Sequence, residues 1–219
     1  GDWSSDVCSS DLVETRLLPV LDALYDCLEK RGLHFDGIIR LGRTHLNDAV
    51  PVRLSQSFEG WASGIAAGRD RVQAAAEGLR RVAQGGTAAG SGLNAPPEFA
   101  AQFCAGLSEL TGTRFEPHPV KVEGMAAHDA LAALSGTLKN IAYTLTRIAN
   151  DVRHLASGPR AGLCELILPD DGLSSSIMPG KRNPTMAEAI VQIGHRVAGN
   201  DAAVETANAT GLFELNVSK

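Results

Sequence analysis

The segment formed by residues 123–155 constrains the fold most, because its apolar side chains recur at steps of three and four and no proline interrupts it. This spacing places them on one face of a helix. A helix of this length spans on the order of 40 Å at about 1.5 Å per residue. It should stop at Ser157, Gly158 and Pro159. The apolar positions are Leu131, Leu134, Leu138, Ile141, Leu145, Ile148 and Val152.

Four further segments carry the same periodicity, and no convincing alternating strand pattern occurs. They predict a helix with apolar positions 17–28 that ends near Gly32, a long one at 58–79 and a shorter one at 99–110 capped by Asn94. A last helix should begin after Pro184, capped by Asn183 or Thr185. Aromatic residues make up only 5% of the chain, which suits close helix packing better than a sheet core. We therefore predict an all-α fold, an elongated helical bundle.

The first twelve residues differ from the rest. They read GDWSSDVCSSDL, with no helical or alternating period, before an amphipathic segment begins abruptly. They lack the features of a signal or transit peptide, and they are similar to translated adapter DNA. We interpret residues 1–12 as a non-native leader that makes few contacts with the body, the alternative being a genuine disordered N-terminus. Residues 13–219 then form the helical domain.

Composition excludes several classes of function. The net charge is -5, which leaves no basic surplus for binding nucleic acid. No apolar run approaches the roughly 18 residues that cross a membrane. The four cysteines form no CxxC pair and no zinc spacing, so we expect neither a metal site nor a disulfide scaffold. Scattered thiols of this kind are typical of a cytoplasmic protein.

The segment Asp170–Pro184, DDGLSSSIMPGKRNP, is the richest candidate for chemistry. Its serine and glycine backbone N–H groups, the Lys181 ammonium and the Asn183 amide are donors that a small carboxylate needs. The alternative is an exposed flexible connector. The spacing of Gly180 and Lys181 does not match a Walker loop, so a nucleoside triphosphate is not implied.

A second candidate is LGRTHLNDAVPV, residues 41–52, which we predict to be a loop. Thr44, His45 and Asn47 could supply a hydroxyl, an imidazole and an amide there. An imidazole can give or take a proton in general acid–base catalysis, although a loop histidine can equally be a plain surface residue. The glycine-rich residues 85–94 follow no strand, so a sharp turn between helices suits them better than a dinucleotide site.

Four strings, GRTHLNDAVPV, GGTAAGSGLN, SGPRAGLCELILP and SSSIMPGKRNP, occur in this order. Together they resemble the class II fumarases of the fumarase/aspartase superfamily, from about residue 13 to residue 217. The resemblance implies an all-α central domain that assembles into a homotetramer, in which each active site takes loops from three subunits. It also implies that the N-terminal domain and the small C-terminal domain are missing here. The upstream segment that contributes substrate contacts would be missing as well.

The resemblance assigns roles within the serine-rich segment. Ser175 corresponds to the base and Ser176 to a substrate contact. Lys181 and Asn183 correspond to positions that hold a substrate carboxylate.

The resemblance also assigns roles elsewhere. Thr44 corresponds to a substrate contact and His45 to the catalytic histidine. Glu188 corresponds to the carboxylate that pairs with this histidine.

The implied activity is a lyase that interconverts L-malate with fumarate and water, without a cofactor, in the cytoplasm or in mitochondria. Two residues depart from the family pattern: Ser174 replaces a glycine, and Arg182 replaces a small apolar residue. An arginine at this position resembles the pattern of the adenylosuccinate and carboxymuconate branches of the superfamily. Aspartate ammonia-lyase, another superfamily lyase such as the argininosuccinate type, and a non-catalytic helical homologue remain alternatives.

Overall fold

The computed structural model describes residues 3–170, 172, 173 and 175–218, and the side chains from residue 7 onward. Within them it confirms an all-α fold dominated by helices. The elements are α1 (Trp3–Leu12), a π-helical turn (Val13–Leu17), α2 (Leu18–His34), β1 (Ile39–Thr44), β2 (Asn47–Arg53), α3 (Leu54–Glu77), a 3-10 turn (Gly78–Arg80), β3 (Arg81–Val82), α4 (Phe99–Thr111), β4 (Glu116–Pro117), α5 (Lys121–Ala126), α6 (Asp129–Leu155) and α7 (Thr185–Asn208). No described helix is long and apolar enough to cross a membrane.

Helices α2, α3, α6 and α7 form an antiparallel bundle. At one end, the Trp61 indole N–H donates to Asp151 over 3.1 Å. At the other end, Gly78 lies against Ala130, so α3 and α6 run in opposite directions. Contacts of Gly32 with Phe58 and of Asp22 with Arg69 show that α2 is antiparallel to α3. Contacts of Thr146 with Gly194 and of Asp129 with Asn208 show that α6 is antiparallel to α7.

The core lies between α2, α3 and α6. Ile65 and Val72 of α3 are fully buried and pack with residues of the other two helices. Gly68 allows a close approach of α3 to α6, because a Cβ there would lie 2.6 Å from Ile141 Cδ1. The buried partners are Val13, Leu18, Leu21, Ala76, Leu79, Leu134 and Ile141.

The two short sheets correct the prediction that no strands occur. Strands β1 and β2 form an antiparallel hairpin over residues that we predicted to be a loop. Most residues of this hairpin are exposed, and its strands carry no sustained alternation of apolar and polar side chains. A register shift next to Gly42 and the proline at position 51 interrupt the pattern further. Strands β3 and β4 pair in parallel over only two residues each.

The predicted single helix over residues 123–155 is wrong at its beginning. It is divided into α5 and α6, with Ala127 extended (φ −122°, ψ 148°) between them. Asn208 at the end of α7 accepts the N–H of His128 over 2.8 Å and donates to Asp129 over 2.8 Å. These bonds come from a residue about 80 positions away, so local periodicity could not predict the break.

The caps differ from the prediction as well. Helix α4 begins at Phe99 with Glu98 as its N-cap, while Asn94 occupies a turn with φ 64°. Helix α7 begins at Thr185, and Pro184 is its N-cap.

The expectation that residues 1–12 make few contacts is wrong. Residues 3–12 form α1, which continues through the π-helical turn towards α2. Ser10 is fully buried. Val7 packs against a second core of Val82, Cys104 and Phe115. Gly1 and Asp2, and the side chain of Trp3, lie outside the described part of the chain.

A buried ion pair between α6 and α7 gives a stability prediction. Asp201 is 1% exposed, pairs with the Lys139 ammonium and accepts the Ser135 hydroxyl over 2.7 Å. These donors, Lys139 foremost, lower the pKa of Asp201. We expect Asp201→Asn to reduce the free energy of unfolding by roughly 2–4 kcal/mol at neutral pH, because Lys139 loses its buried partner. Chemical denaturation measures this change.

The pH dependence follows from the direction of the shift. Because the folded state lowers this pKa, the stabilisation is present above the unfolded value of about 3.9 and is lost as pH falls through the folded value. The difference in the free energy of unfolding between the native chain and Asp201→Asn should therefore become smaller in acid. Glu205→Gln is the matched control, since its carboxylate lies 3.5 Å from Lys139 and is 59% exposed. Equal losses in the two variants would contradict the prediction.

Candidate active site

The connector between α2 and α3 (residues 35–53) and that between α6 and α7 (residues 156–184) emerge at the same end of the bundle. Leu54, Phe58 and Trp61 at the start of α3 pack against Leu155 at the end of α6. The predicted site residues lie on these connectors, apart from Glu188 in the first turn of α7. The fold thus collects segments that are far apart in the sequence at one end of the molecule.

His45 occupies the tip of the β1–β2 hairpin. Thr44 and Asn47 are paired across the ladder, so His45 and Leu46 alone form the turn, with φ of 55° and 62°. Such a turn suits the twist of a hairpin, but positive φ is uncommon for residues with side chains. The Asn47 amide donates to the His45 carbonyl over 3.1 Å and braces the turn. Thr44 and His45 are exposed, as a substrate contact requires.

A cationic cavity of about 570 Å³ lies beside the hairpin. Trp61 and Asp151, which are hydrogen-bonded to each other, form part of its wall. Its charge distribution favours the approach of a carboxylate. The basic residues and histidines that line it are Arg40, Arg43, His45, Arg147 and His154.

The segment 170–184, which we call the serine loop, closes on itself around Ser175. The Ser175 N–H donates to the Lys181 carbonyl over 3.1 Å. The Ser175 Oγ accepts the N–H groups of Ile177 and Met178 over 3.3 and 3.2 Å. Backbone donors aimed at one oxygen stabilise negative charge on it. The arrangement can therefore support negative charge on the Ser175 oxygen.

The other predicted residues of the serine loop present their side chains differently. Ser176 and Lys181 are exposed, whereas Asn183 is half-buried at the edge of an apolar cavity of about 290 Å³ between α2, α6 and the start of α7. Arg182, one of the two departures, pairs with Asp170 at 3.4 Å and helps to close the loop. Ser174, the other departure, lies outside the described residues, as does Asp171.

Glu188 and His45 are not brought together within one chain. Glu188 is half-buried in the first turn of α7, and its Oε1 lies 4.0 Å from Arg153 Nη2. Among the residues that the structure describes, no hydrogen bond or ion pair joins Glu188 to His45. Within the described part of one chain, the expected pairing of His45 with Glu188 is therefore not formed.

Sequence reasoning missed the ion pairs that join the two connectors. Glu165, on the segment leading to the serine loop, pairs with Arg43 and lies 3.6 Å from Arg40. The hydrogen bond from the Arg43 guanidinium to Glu165 raises the arginine pKa above its ordinary value. Both arginines come before His45 on β1, and Glu165 is 122 residues away from Arg43. No local pattern relates residues so far apart.

The described residues contain no group of three or more histidine, cysteine, aspartate or glutamate side chains that could hold a metal ion. Cys104 is buried, and burial raises the pKa of its thiol, which makes it a packing residue and not a reactive one.

Comparisons with known proteins agree with this architecture. Class II fumarate hydratase of Methylorubrum extorquens is 50% identical over 207 residues, which is 94% of this chain and 44% of that protein. The mitochondrial fumarate hydratase of Saccharomyces cerevisiae is 45% identical over 213 residues, or 97% of this chain and 44% of that protein. The chain thus spans less than half the length of these curated relatives.

Solved structures extend the similarity to three dimensions. The crystal structure of class II fumarase from Schistosoma mansoni superimposes with a TM-score of 0.95 at 34% identity, covering 99% of this chain and 48% of that one. A cobalt-bound fumarate lyase:delta crystallin from Brucella melitensis superimposes with a TM-score of 0.88 at 39% identity, covering 96% and 45%. A sequence model of the lyase family matches residues 5–199. With its bundle, its serine loop and this match over most of its length, the chain belongs to the lyase family.

Proposed function

We propose that this chain forms part of a lyase that interconverts L-malate with fumarate and water. The observation that carries the proposal is the serine loop, in which two backbone N–H groups converge on Ser175 Oγ and the Ser175 N–H donates to the Lys181 carbonyl. This loop lies at the same end of the bundle as the His45 hairpin. The relatives named fumarate hydratase, similar along nearly the whole chain, support the same reaction.

The reaction needs a base and a site for negative charge. Removing a proton from the carbon next to a carboxylate builds a second charge on that carboxylate, giving an aci-carboxylate dianion. Lys181 and Asn183 bind this carboxylate in our proposal, while Thr44 and Ser176 contact the rest of the substrate. A serine is an effective base only as an alkoxide, and the two N–H groups on Ser175 stabilise that form.

His45 then protonates the departing hydroxyl group, or activates water in the reverse direction, as a general acid and base. Its proposed partner is Glu188. Since these two residues do not pair within one chain, we propose that they meet between copies in a homotetramer. Exposed apolar residues near Glu188 support assembly, because Met186 and Ile193 of α7 are 67% and 60% exposed. The proposed route uses side chains and backbone groups alone.

The proposed location is the cytoplasm, or mitochondria in a eukaryotic source. Relatives of this chain include a protein named as mitochondrial and bacterial class II proteins. The substrate class that the site fits is a small dicarboxylate, since Lys181 and Asn183 on one segment and the cationic cavity beside His45 offer donors for carboxylate groups.

A chimeric enzyme tests the function. Residues 13–217 of this chain replace the matching segment of the class II fumarate hydratase of Methylorubrum extorquens, which supplies the remaining length. We expect the chimera to assemble as a tetramer and to hydrate fumarate at a rate comparable to the parent, measured by the loss of fumarate absorbance. The chain alone should neither form a stable tetramer nor hydrate fumarate, because it supplies only part of each site.

Activity towards other substrates distinguishes this reaction from those of the related lyases. L-aspartate, adenylosuccinate and argininosuccinate are offered to the same chimera. A tetrameric chimera that eliminates ammonia from L-aspartate but leaves L-malate unchanged would refute the proposal. If the chain alone hydrates fumarate at an ordinary enzymatic rate, the proposal that it supplies only part of each active site is refuted.

A further inference from the structure

The His45 hairpin needs an anchor outside itself. An isolated two-stranded hairpin is only marginally stable in water. All apolar side chains of β1 and β2 except Val52 are exposed, so apolar burial does little to hold this hairpin against the bundle. Its position must therefore come from its base and from polar contacts along its length.

The base of the hairpin is held well, but its tip is far from that base. The Leu54 N–H donates to the Ile38 carbonyl over 2.8 Å. Arg53 pairs with Asp36 at 3.2 Å. For the tip half, residues 42–50, the only side-chain hydrogen bond or ion pair to another element that the structure describes is the one from Arg43 to Glu165. Arg43 precedes the catalytic candidate His45 by two residues.

Glu165 is itself fixed to the end of α6. The N–H groups of Glu165 and Leu166 both donate to the Leu155 carbonyl, over 2.8 and 3.0 Å. Leu155 is buried in the cluster at the start of α3. A continuous path of contacts therefore runs from the rigid bundle through Glu165 to Arg43 and the turn that carries His45.

The charges in this contact are largely shielded from water. The side chains of Arg40, Arg43 and Glu165 are 17%, 19% and 20% exposed. Arg40 also donates to the Ser57 hydroxyl over 2.7 Å, which gives it a second partner. Removing the carboxylate would leave two largely buried guanidinium groups in a region that already carries Arg147 and His154. Repulsion would then move the hairpin outward.

We propose that Glu165 is a positioning residue for His45: through Arg43 it fixes the tip of the hairpin, and it ties this tip to the segment that leads to the serine loop. The effect on turnover rests on the function proposed above. The effect on the hairpin itself does not, because it concerns only the order of residues 42–50.

Two measurements on Glu165→Gln test the inference. In the chain itself, we expect faster amide hydrogen exchange at residues 44–47 and a changed, broadened ring signal of His45 in NMR spectra. In the chimeric enzyme, we expect kcat to fall by about 10- to 100-fold with little change in KM, because a misplaced general acid slows chemistry more than binding. Glu165→Asp should restore part of both losses.

Asp36→Asn is the matched control, since it removes the Arg53 ion pair at the base of the same hairpin and leaves the Arg43 contact intact. It should leave the His45 signal and kcat near their native values. If Glu165→Gln does not fold, Arg43→Lys keeps the charge and loses the planar guanidinium contact, and it should give an intermediate loss.

The outcomes separate the two proposals. Unchanged exchange at residues 44–47 and unchanged kcat in a folded Glu165→Gln would overturn the positioning role. Equal effects of Asp36→Asn and Glu165→Gln would overturn it too, since they would mark a general loss of stability. If the chimera without a Glu165 substitution is inactive while exchange at residues 44–47 of the chain still responds to Glu165→Gln, the lyase function is refuted and the positioning role is supported.

Discussion

Ser175→Ala in the chimeric enzyme should abolish both net turnover and the exchange of the carbon-bound proton of malate with solvent. If Ser175 is the base, alanine removes the group that takes this proton. The Ser175 oxygen is also the acceptor for the N–H groups of Ile177 and Met178, so its removal eliminates the stabilised oxyanion altogether. We expect a loss of at least about 10,000-fold, the upper end of what one acid–base group contributes.

Deuterium incorporation into malate in heavy water, followed by NMR, measures this loss. Malate binding should survive, because Lys181 and Asn183 remain to hold the carboxylate. Ser176→Ala is the comparison variant: it removes a substrate contact next to Ser175 and should raise KM more than it lowers kcat. Normal proton exchange in Ser175→Ala would show that another group is the base.

His45→Asn should depress net turnover by about 100- to 10,000-fold while leaving measurable exchange of the carbon-bound proton. In a stepwise path deprotonation precedes the departure of hydroxide, so the variant can still form and reverse the carbanion. Asparagine keeps a polar side chain and tolerates positive φ, so the turn at φ 55° should persist.

The same deuterium measurement distinguishes the roles. Exchange that exceeds net turnover in His45→Asn supports a general acid on the hydroxyl side. Complete loss of exchange in His45→Asn, together with normal exchange in Ser175→Ala, would reverse the two assignments. His154→Asn provides a control, because this histidine lines the same cavity from α6.

The helices were predictable because their signal is local. The apolar face of α6 contains Leu134 and Ile141, which the structure buries, and the start of α7 follows Pro184 as expected. The division of α5 from α6 was not predictable, because Asn208 produces it from the far end of α7. The contacts of α1 were not predictable either, since its composition carries no amphipathic pattern that would indicate a buried face.

For the candidate site, too, some features were predictable from the sequence and others were not. The serine loop and His45 could be singled out from residue types and from the resemblance to a known family. The turn geometry of His45, the N–H groups on Ser175 and the ion pair of Glu165 with Arg43 depend on the folded backbone. Strands β1 and β2 escaped prediction because exposed strands need no apolar alternation.

Because the bundle is antiparallel, its two ends carry different connectors, and mutations at the two ends should have different effects. Both candidate segments lie at one end, whereas the connector between α3 and α6, which includes α4, lies at the other. We expect substitutions near the first end to alter chemistry and folding together, and substitutions in α4, which carries none of the candidate site residues, to act mainly on folding. Differences between related lyases should therefore accumulate in α4 before they reach the hairpin or the serine loop.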